Sequence, residues 1–598
     1  MKHSSNTSLL NAGLVLLVGI VCPCYVMGQV DLSGDWTLLM HEDEAWRGPG
    51  PELGEYEGLP LNAAGKMRAW SWNASINTLP EHQCIPLPAD DFTDFGNIRI
   101  WKEVDPATQR VIAWHEYTEW QAQERVIWMD SRPRPSELAA HTWQGFSTGK
   151  WDRNELTIQT THLKEAQYER VGTYRSDRGT LTEHWIRHGN YLTIMLIISD
   201  PVYLAKPLVR TRQYALDPDQ TMRGYNCVPT AEIAGRRPGY VPDYIPWKNP
   251  FKLDAVTRYK VPEVAVSGGP ETMYPEFVAK LKNPNARVPE IAETRTSPTA
   301  APPTSNLNDL SITALRVQRN VYMLHGAGAN ITVQVGDDSV YVVDSEFAAL
   351  APKIVAAIKQ ITNKPLRYVI NTSFDADHTG GNAEVAKAGN QIEMYPFGGE
   401  TPATIVAHEN VLKRMSAPTG QVSPVSDSLW PTETYATPQM QLYNGEGIQL
   451  IHERAAHTDG DTIVYFRGSD VISSGDIFST ETYPVIDRKN GGTFSGILQS
   501  LNHIIELSIP KGQQEGGTYI VPGHGRICDQ ADVVNYRDMV TMIGHRIADL
   551  IADGKTLEQV LAAQPTMDFD GRYGAPIPNW TTEMFIETVY NELKESKK

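Results

Sequence analysis

The chain has 598 residues, 41% of them hydrophobic and 21% charged, and a formal net charge of −18. That length exceeds one ordinary core, so two or more globular domains are expected, and the composition excludes a disordered or fibrous chain. The acidic balance argues against nucleic acid or an anionic membrane surface as the main partner, because both demand a basic face.

The N-terminus reads as an export signal. Lys2 and His3 precede an apolar run, Leu9 to Cys22, that fits the core of a signal peptide and is short for a membrane span. Val26-Met27-Gly28, just before Gln29, offers a cleavage point. Residues 1–28 are therefore expected to be removed, leaving a periplasmic or secreted protein with no stable membrane span. An uncleaved anchor is the other reading of the same segment. Cys22 and Cys24 fall in the leader, which leaves Cys84, Cys227 and Cys528. Export permits a disulfide. Cys84 and Cys227 share the N-terminal half and are the first choice for the pair, with Cys528 a buried inert thiol.

Residues 29–230 read as an all-β, barrel-like domain. Ile98 to Trp101, Val111 to Tyr117 and Arg125 to Met129 are runs of β-branched and aromatic residues separated by turn signals. Leu181 to Arg187 and Tyr191 to Ile198 flank His188-Gly189-Asn190, a hairpin signature. Strands that follow one another without helices suggest a barrel or a sandwich. Gly34-Asp35-Trp36 and the stretch from Gly145 to Ile158 resemble lipocalin-like modules of exported bacterial proteins. Trp36, Trp101, Trp114 and Trp128 are read as ordinary core, with a ligand-lining role as the alternative. Residues 231–308 are a connecting segment that ends in a Pro/Thr-rich linker, 288–305.

From residue 309 to 598 strands and helices alternate, which is α/β architecture. Asn330 to Val335 and Val340 to Val343 read as paired strands ending at Asp344. A helix from about Ala348 to Ile361 follows, with Ile354, Val355, Ile358 and Ile361 on one face. The strand Arg367 to Ile370 then leads into Asn371-Thr372-Ser373-Phe374-Asp375-Ala376-Asp377-His378-Thr379-Gly380-Gly381-Asn382. Three further segments place a His or Asp on a loop at a strand end: Ala456-His457-Thr458-Asp459-Gly460-Asp461, Ser474-Gly475-Asp476 and Pro522-Gly523-His524-Gly525. Any one of them alone could be a capped turn or a core histidine. Together, on loops where side chains from distant parts of a sheet converge, they point to a metal site.

These four segments, with Asp344 ahead of them, resemble the motif series of the metallo-β-lactamase superfamily. The resemblance implies an αββα sandwich carrying one or two metal ions, usually zinc, in a groove at the sheet edge. The family's H-x-H-x-D-H loop is altered here: Ser373 stands at the first histidine and Asp375 at the second, while Asp377 and His378 match. By resemblance, Asp377, His378 and His524, assisted by Asp476, form a complete site. Asp375, His457 and Asp476 form a carboxylate-rich first site, which favours iron or manganese over zinc. Asp377 would also orient the attacking water. Ser373, Thr458, Asp459 and Asp461 are candidates for the shell that orients the ligands. His325, His408 and His452 are expected to be structural or exposed.

The function implied is an exported hydrolase that uses a metal-bound hydroxide on an ester, thioester, lactone or amide of a small molecule. Loss of two histidines also fits a non-catalytic metal- or ligand-binding protein. The carboxylate at the second position resembles flavodiiron proteins too, which leaves an iron-dependent redox enzyme as a lesser alternative.

Overall fold

The computed structural model describes residues 30–596 apart from 40–53, 57, 93–95, 170, 225–226, 234, 238, 283–306, 308–309, 392–400, 419 and 511–516. The leader and the linker 288–305 thus lie outside the described residues.

Alternating burial builds the N-terminal lobe. Along Tyr191–Ser199, Leu192, Ile194, Leu196 and Ile198 are buried while their neighbours are partly or fully exposed, the period of two that places one face of a strand inward. Among the described residues, nine strands close into a barrel. Around the wall they run Gly34–Leu39, Leu208–Leu216, Tyr191–Ser199, Thr180–His188, Glu155–Thr161, Phe146–Asp152, Gln123–Trp128, Val111–Thr118 and Ile98–Val104, which returns to the first. The expected hairpin forms, with His188 opposite Tyr191 and Gly189 at φ +61° in the turn. The barrel fits the lipocalin-like expectation, with one departure: Gln123–Trp128 pairs parallel to Phe146–Asp152, so the wall is not a simple meander.

The barrel interior is filled by side chains. Trp36, Trp114 and Trp185 pack with Ile98, Ile100, Ile127, Leu156, Ile158 and Ile194. Trp101 instead stacks on His115 at its partly exposed face, and Trp128 lies under Arg132. The four tryptophans singled out in the sequence therefore do not line one chamber. Deeper in the same lobe Arg125 is buried between Glu116 and Glu183, and also donates to Ser147 and Thr160. Breaking such a buried pair by removing one partner costs about 3–5 kcal/mol.

In the C-terminal lobe two sheets stack face to face. The first runs Thr313–Gln318, Val321–His325, Ile331–Val335, Val340–Val343, Leu366–Ile370, Thr404–His408, Glu433–Tyr435. The second runs Gln439–Tyr443, Gly447–Glu453, Asp461–Phe466, Val471–Ser473, Tyr519–Val521, Cys528–Asp529. Val343, Ile370 and Val406 of the first meet Leu450, Val464, Phe466 and Val521 of the second in one apolar layer. The helix Ala351–Ile361 covers the outer face of the first sheet through Ile354 and Ile358, with Val355 and Ile361 half-buried beside them. The helices Phe494–Leu507, Gln530–Ala552 and Thr582–Glu595 cover the second. This is the αββα arrangement expected.

The lobes are in contact. Trp72, Ile76, Leu79 and Val241 belong to the apolar cluster of the C-terminal helices. Cys84 and Cys227 form a disulfide, and Cys528 is free and buried. Among the described residues no helix is long and apolar enough to cross a membrane.

Candidate metal centre

Parallel pairing sets the site at one end of the first sheet. Val340–Val343 and Leu366–Ile370 run side by side and end together, so Asp344 and the loop 371–375 emerge next to each other. The Asp344 carboxylate accepts from Thr372 N at 2.8 Å and Thr372 Oγ1 at 2.6 Å, and faces His378 Nδ1 at 2.9 Å. With Nδ1 so engaged, the buried His378 ring aims Nε2 at Asp476, 3.2 Å from its Oδ2. Asp377 precedes His378 on the short helix Ala376–Thr379.

The second sheet brings the other half. His457 follows the strand Gly447–Glu453 and donates Nδ1–H to Val485 O at 2.9 Å, which leaves Nε2, the nitrogen facing Asp375 Oδ2 at 3.0 Å, for the centre. Asp476 sits on the turn Gly475–Ile477, and His524 Nε2 is 3.3 Å from its Oδ1 and 3.5 Å from Asp377 Oδ2. The structure thus gathers all six residues expected as ligands into two groups, Asp377 with His378 and His524, and Asp375 with His457 and Asp476. Within each group the ligand atoms lie within 4.8 Å of one another.

Electrostatics fit a cation. Burial disfavours the charged form of His457, but the hydrogen bond and charge of Asp375 and the charge of Asp476 outweigh it and push the group up to about 10. His524 is carried to about 9 in the same contest, with Asp476 and Asp377 overcoming burial. Three carboxylates crowd three imidazoles, and protons are drawn in where positive charge is wanted. Two buried atoms, His378 Nε2 and Asp476 Oδ1, lie within ion-pair distance of Asp476 Oδ2 and His524 Nε2 but make no hydrogen bond of proper geometry. Orphaned buried polar atoms are rare in folded proteins, and a divalent ion held by these side chains would satisfy both. The residues present fit the group.

The surrounding shell differs in part from expectation. Ser373 donates its hydroxyl to Asp375 Oδ2, as a supporting residue would. Thr458 and Asp461 do not touch a ligand ring: Asp461 accepts from Thr458 N at 2.8 Å and Thr458 Oγ1 at 2.7 Å and so shapes the turn after His457. Burial pushes Asp461 up to about 7. The ring of His457 is fixed by the Val485 carbonyl instead, a backbone group that no motif marks. Asp459 pairs with Arg414. His325 bonds Asn330, and His408 stacks on His452 with centroids 3.5 Å apart, outside the six.

Two contributors were not singled out in the sequence. Asn330 Nδ2 donates to Pro522 O and Gly525 O, bracketing His524. The Glu346 carboxylate accepts from Ala327 N and Gly328 N, and holds that loop against the site. A Cβ on Gly328 would stand 2.6 Å from Asp377 Cβ, so only glycine allows this approach. Asp344 and Glu346 both adopt left-handed backbone, φ +64° and +55°, a conformation non-glycine residues keep only where their surroundings impose it. The run Gly326-Ala327-Gly328-Ala329-Asn330 was the available signal: small residues before a strand mark a close backbone approach.

Residues 326–525 match the family model of the Metallo-beta-lactamase superfamily. Residues 326–525 are thus a metallo-β-lactamase-type domain. No curated protein matches the chain. Among solved structures it is similar to the stereoselective inverting sec-alkylsulfatase Pisa1 from Pseudomonas sp., at 14% identity and a TM-score of 0.36, covering 47% of this chain and 50% of that one. A double mutant of the sec-alkyl sulfatase PisA1 gives the same values. The match thus spans half the length of those sulfatases. The match over residues 326–525 supports a metal-dependent hydrolase in general terms, and this fold generally binds divalent metals.

Proposed function

We propose that the protein is an exported metal-dependent hydrolase acting on an ester, thioester, lactone or amide bond of a small molecule. The observation that carries the reading is the convergence of Asp375, Asp377, His378, His457, Asp476 and His524 around two orphaned polar atoms. When bound, a divalent cation there supplies Lewis acidity and a water acidic enough to lose its proton near neutral pH. Asp377, His378 and His524, with Asp476, would hold the tighter ion, and Asp375, His457 and Asp476 the weaker. Asp377 would also align the attacking water. Asp344 and the Val485 carbonyl fix the two rings so that each presents Nε2, which lowers the reorganisation needed on binding. Zinc suits the Asp377–His378–His524 group; the carboxylate-rich Asp375–His457–Asp476 group suits iron or manganese better.

The Cys84–Cys227 disulfide supports an oxidising compartment, and the exported species should begin at or near Gln29. A non-catalytic binding role draws its support from Ser373, which offers a neutral hydroxyl where the family has imidazole. Metal analysis of purified protein beside a panel of carbonyl esters separates the two. Metal with turnover that vanishes in His524→Ala supports the hydrolase; metal without turnover favours the binding protein.

A further inference from the structure

The loop that carries His524 is gripped from both lobes. On the C-terminal side, Thr480 N donates to His524 O at 3.1 Å and Arg526 N donates to Thr480 Oγ1 at 3.1 Å. From the barrel lobe come a backbone carbonyl and a carboxylate. Ile527 N donates to Leu138 O at 2.9 Å, and Asp177, in the turn after the strand Thr173–Arg175, takes Arg526 Nη2 at 3.3 Å. The same Asp177 binds Arg572 through Nε at 2.6 Å and Nη2 at 3.0 Å.

The cluster is largely buried, with Lys164, Arg526, Asp532 and Arg572 out of water. Arg526 also bonds Asp532 at 2.8 Å, and Lys164, a second barrel-lobe residue, reaches Asp529 and Asp532, each at 2.8 Å. Three cations, Arg526, Arg572 and Lys164, face three carboxylates, Asp177, Asp529 and Asp532. Burial pushes the Asp177 carboxyl up, but Arg572 and Arg526 outweigh it and hold it well below the usual carboxylate range. Hydrogen-bonded ion pairs out of water have narrow geometric tolerance, because a guanidinium that slides from its carboxylate meets no solvent to replace it.

Arg526 lies two residues from His524, with only Gly525 between them, at φ +100°. A glycine hinge transmits no rigidity by itself, so the ring's position depends on what clamps each side of it. We propose that the barrel lobe is a working part of the metal centre, with Asp177 a positioning residue that clamps Arg526 and so sets His524 for its ion. This inference depends on the reading of His524 as a ligand.

The test is zinc titration of the full-length protein against a competing chelator, with the visible spectrum of the cobalt(II)-loaded form recorded in parallel. Asp177→Asn should weaken the tighter equivalent about ten- to a hundredfold, the range for outer-shell partners. It should also alter the cobalt spectrum. Asp177→Glu, which keeps the charge, should recover part of the affinity. Glu183→Gln breaks a buried pair in the barrel away from the centre; it should lower the melting temperature and leave zinc affinity unchanged. Wild-type affinity in Asp177→Asn overturns the inference, as does an equal loss in Glu183→Gln, which would mean general loosening. If Asp177→Asn does not fold, Asp177→Glu is read alone: a wild-type cobalt spectrum and zinc affinity overturn the inference, and an altered spectrum with weaker zinc supports it. Failure of the underlying reading looks different, since zinc binding would then survive His524→Ala.

Discussion

Asp375 Oδ2 accepts two hydrogen bonds at once, from His457 Nε2 at 3.0 Å and from the hydroxyl of Ser373. An ion entering the Asp375–His457–Asp476 group must take that oxygen from two hydrogen-bond donors, whereas His378 Nε2 and Asp476 Oδ1 make no hydrogen bond and have only the ion-pair contacts to Asp476 Oδ2 at 3.2 Å and His524 Nε2 at 3.3 Å to exchange for the metal. The two groups should therefore differ in affinity. His524→Ala is expected to abolish tight binding and hydrolysis, and His457→Ala to remove mainly the weaker equivalent. Metal stoichiometry after dialysis of each variant checks both; hydrolysis that continues unchanged in His524→Ala would place the reaction elsewhere.

Restoring imidazole should change the metal preference. In Ser373→His with Asp375→His, the weaker group gains two nitrogen ligands and loses a carboxylate, which suits zinc better than a harder ion. Zinc occupancy of that group should rise when the double variant is loaded with equimolar zinc and manganese. An unchanged ratio would show that the loop backbone, not the side chains, sets selectivity.

Outer residues should matter in proportion to how directly they hold a ring. Asp344→Asn keeps the shape but weakens the grip on His378 Nδ1, and is expected to reduce metal affinity about ten- to a hundredfold. Asp461→Ala, which touches only the turn at Thr458, should stay near the lower end. Isothermal titration of both variants with zinc gives the order, and the reverse order would refute the assignment.

The barrel core should carry a pH signature of its own. Burial, and then the charge of Glu183, raise Glu116 from 4.5 to about 8 against the pull of Arg125, since one guanidinium serves two carboxylates. A group raised on folding contributes stability that is full below its unfolded value and lost as pH climbs through the folded one. Wild-type protein should therefore lose stability through this group between about pH 4.5 and 8, on the order of a few kcal/mol. Glu116→Gln removes that slope. Its melting temperature relative to wild type should rise across the window and level off above it; a constant difference from pH 5 to 9 would contradict the shift.

What could be read from the residues divides along a physical line. Period-two alternation in Tyr191 to Ile198 and the buried runs before Asp344 and Asn371 are local, so strands, the hairpin and the ligand loops were legible. So was the gathering of the six ligands, because each follows a strand end. Pairing between distant segments was not: the parallel contact of Gln123–Trp128 with Phe146–Asp152 leaves no local trace. Nor does a backbone carbonyl such as Val485 O, since every residue has one. How Thr458 and Asp461 act was not legible for a related reason. Proximity in sequence placed them beside His457, but Asp461 spends its hydrogen bonds on Thr458.

The apolar cluster that joins Trp72, Ile76, Leu79 and Val241 to Phe494, Met539, Ile543 and Phe569 has a practical consequence. A protease that cuts within residues 283–306 would sever the chain without separating its pieces, because the seam is sealed by side chains from both. The nicked protein should migrate as one species in a gel-filtration column and as two bands only after denaturation. A C-terminal piece made alone would carry an uncovered greasy surface and tend to aggregate. The smallest autonomous folding unit is then larger than the hydrolase fold it contains.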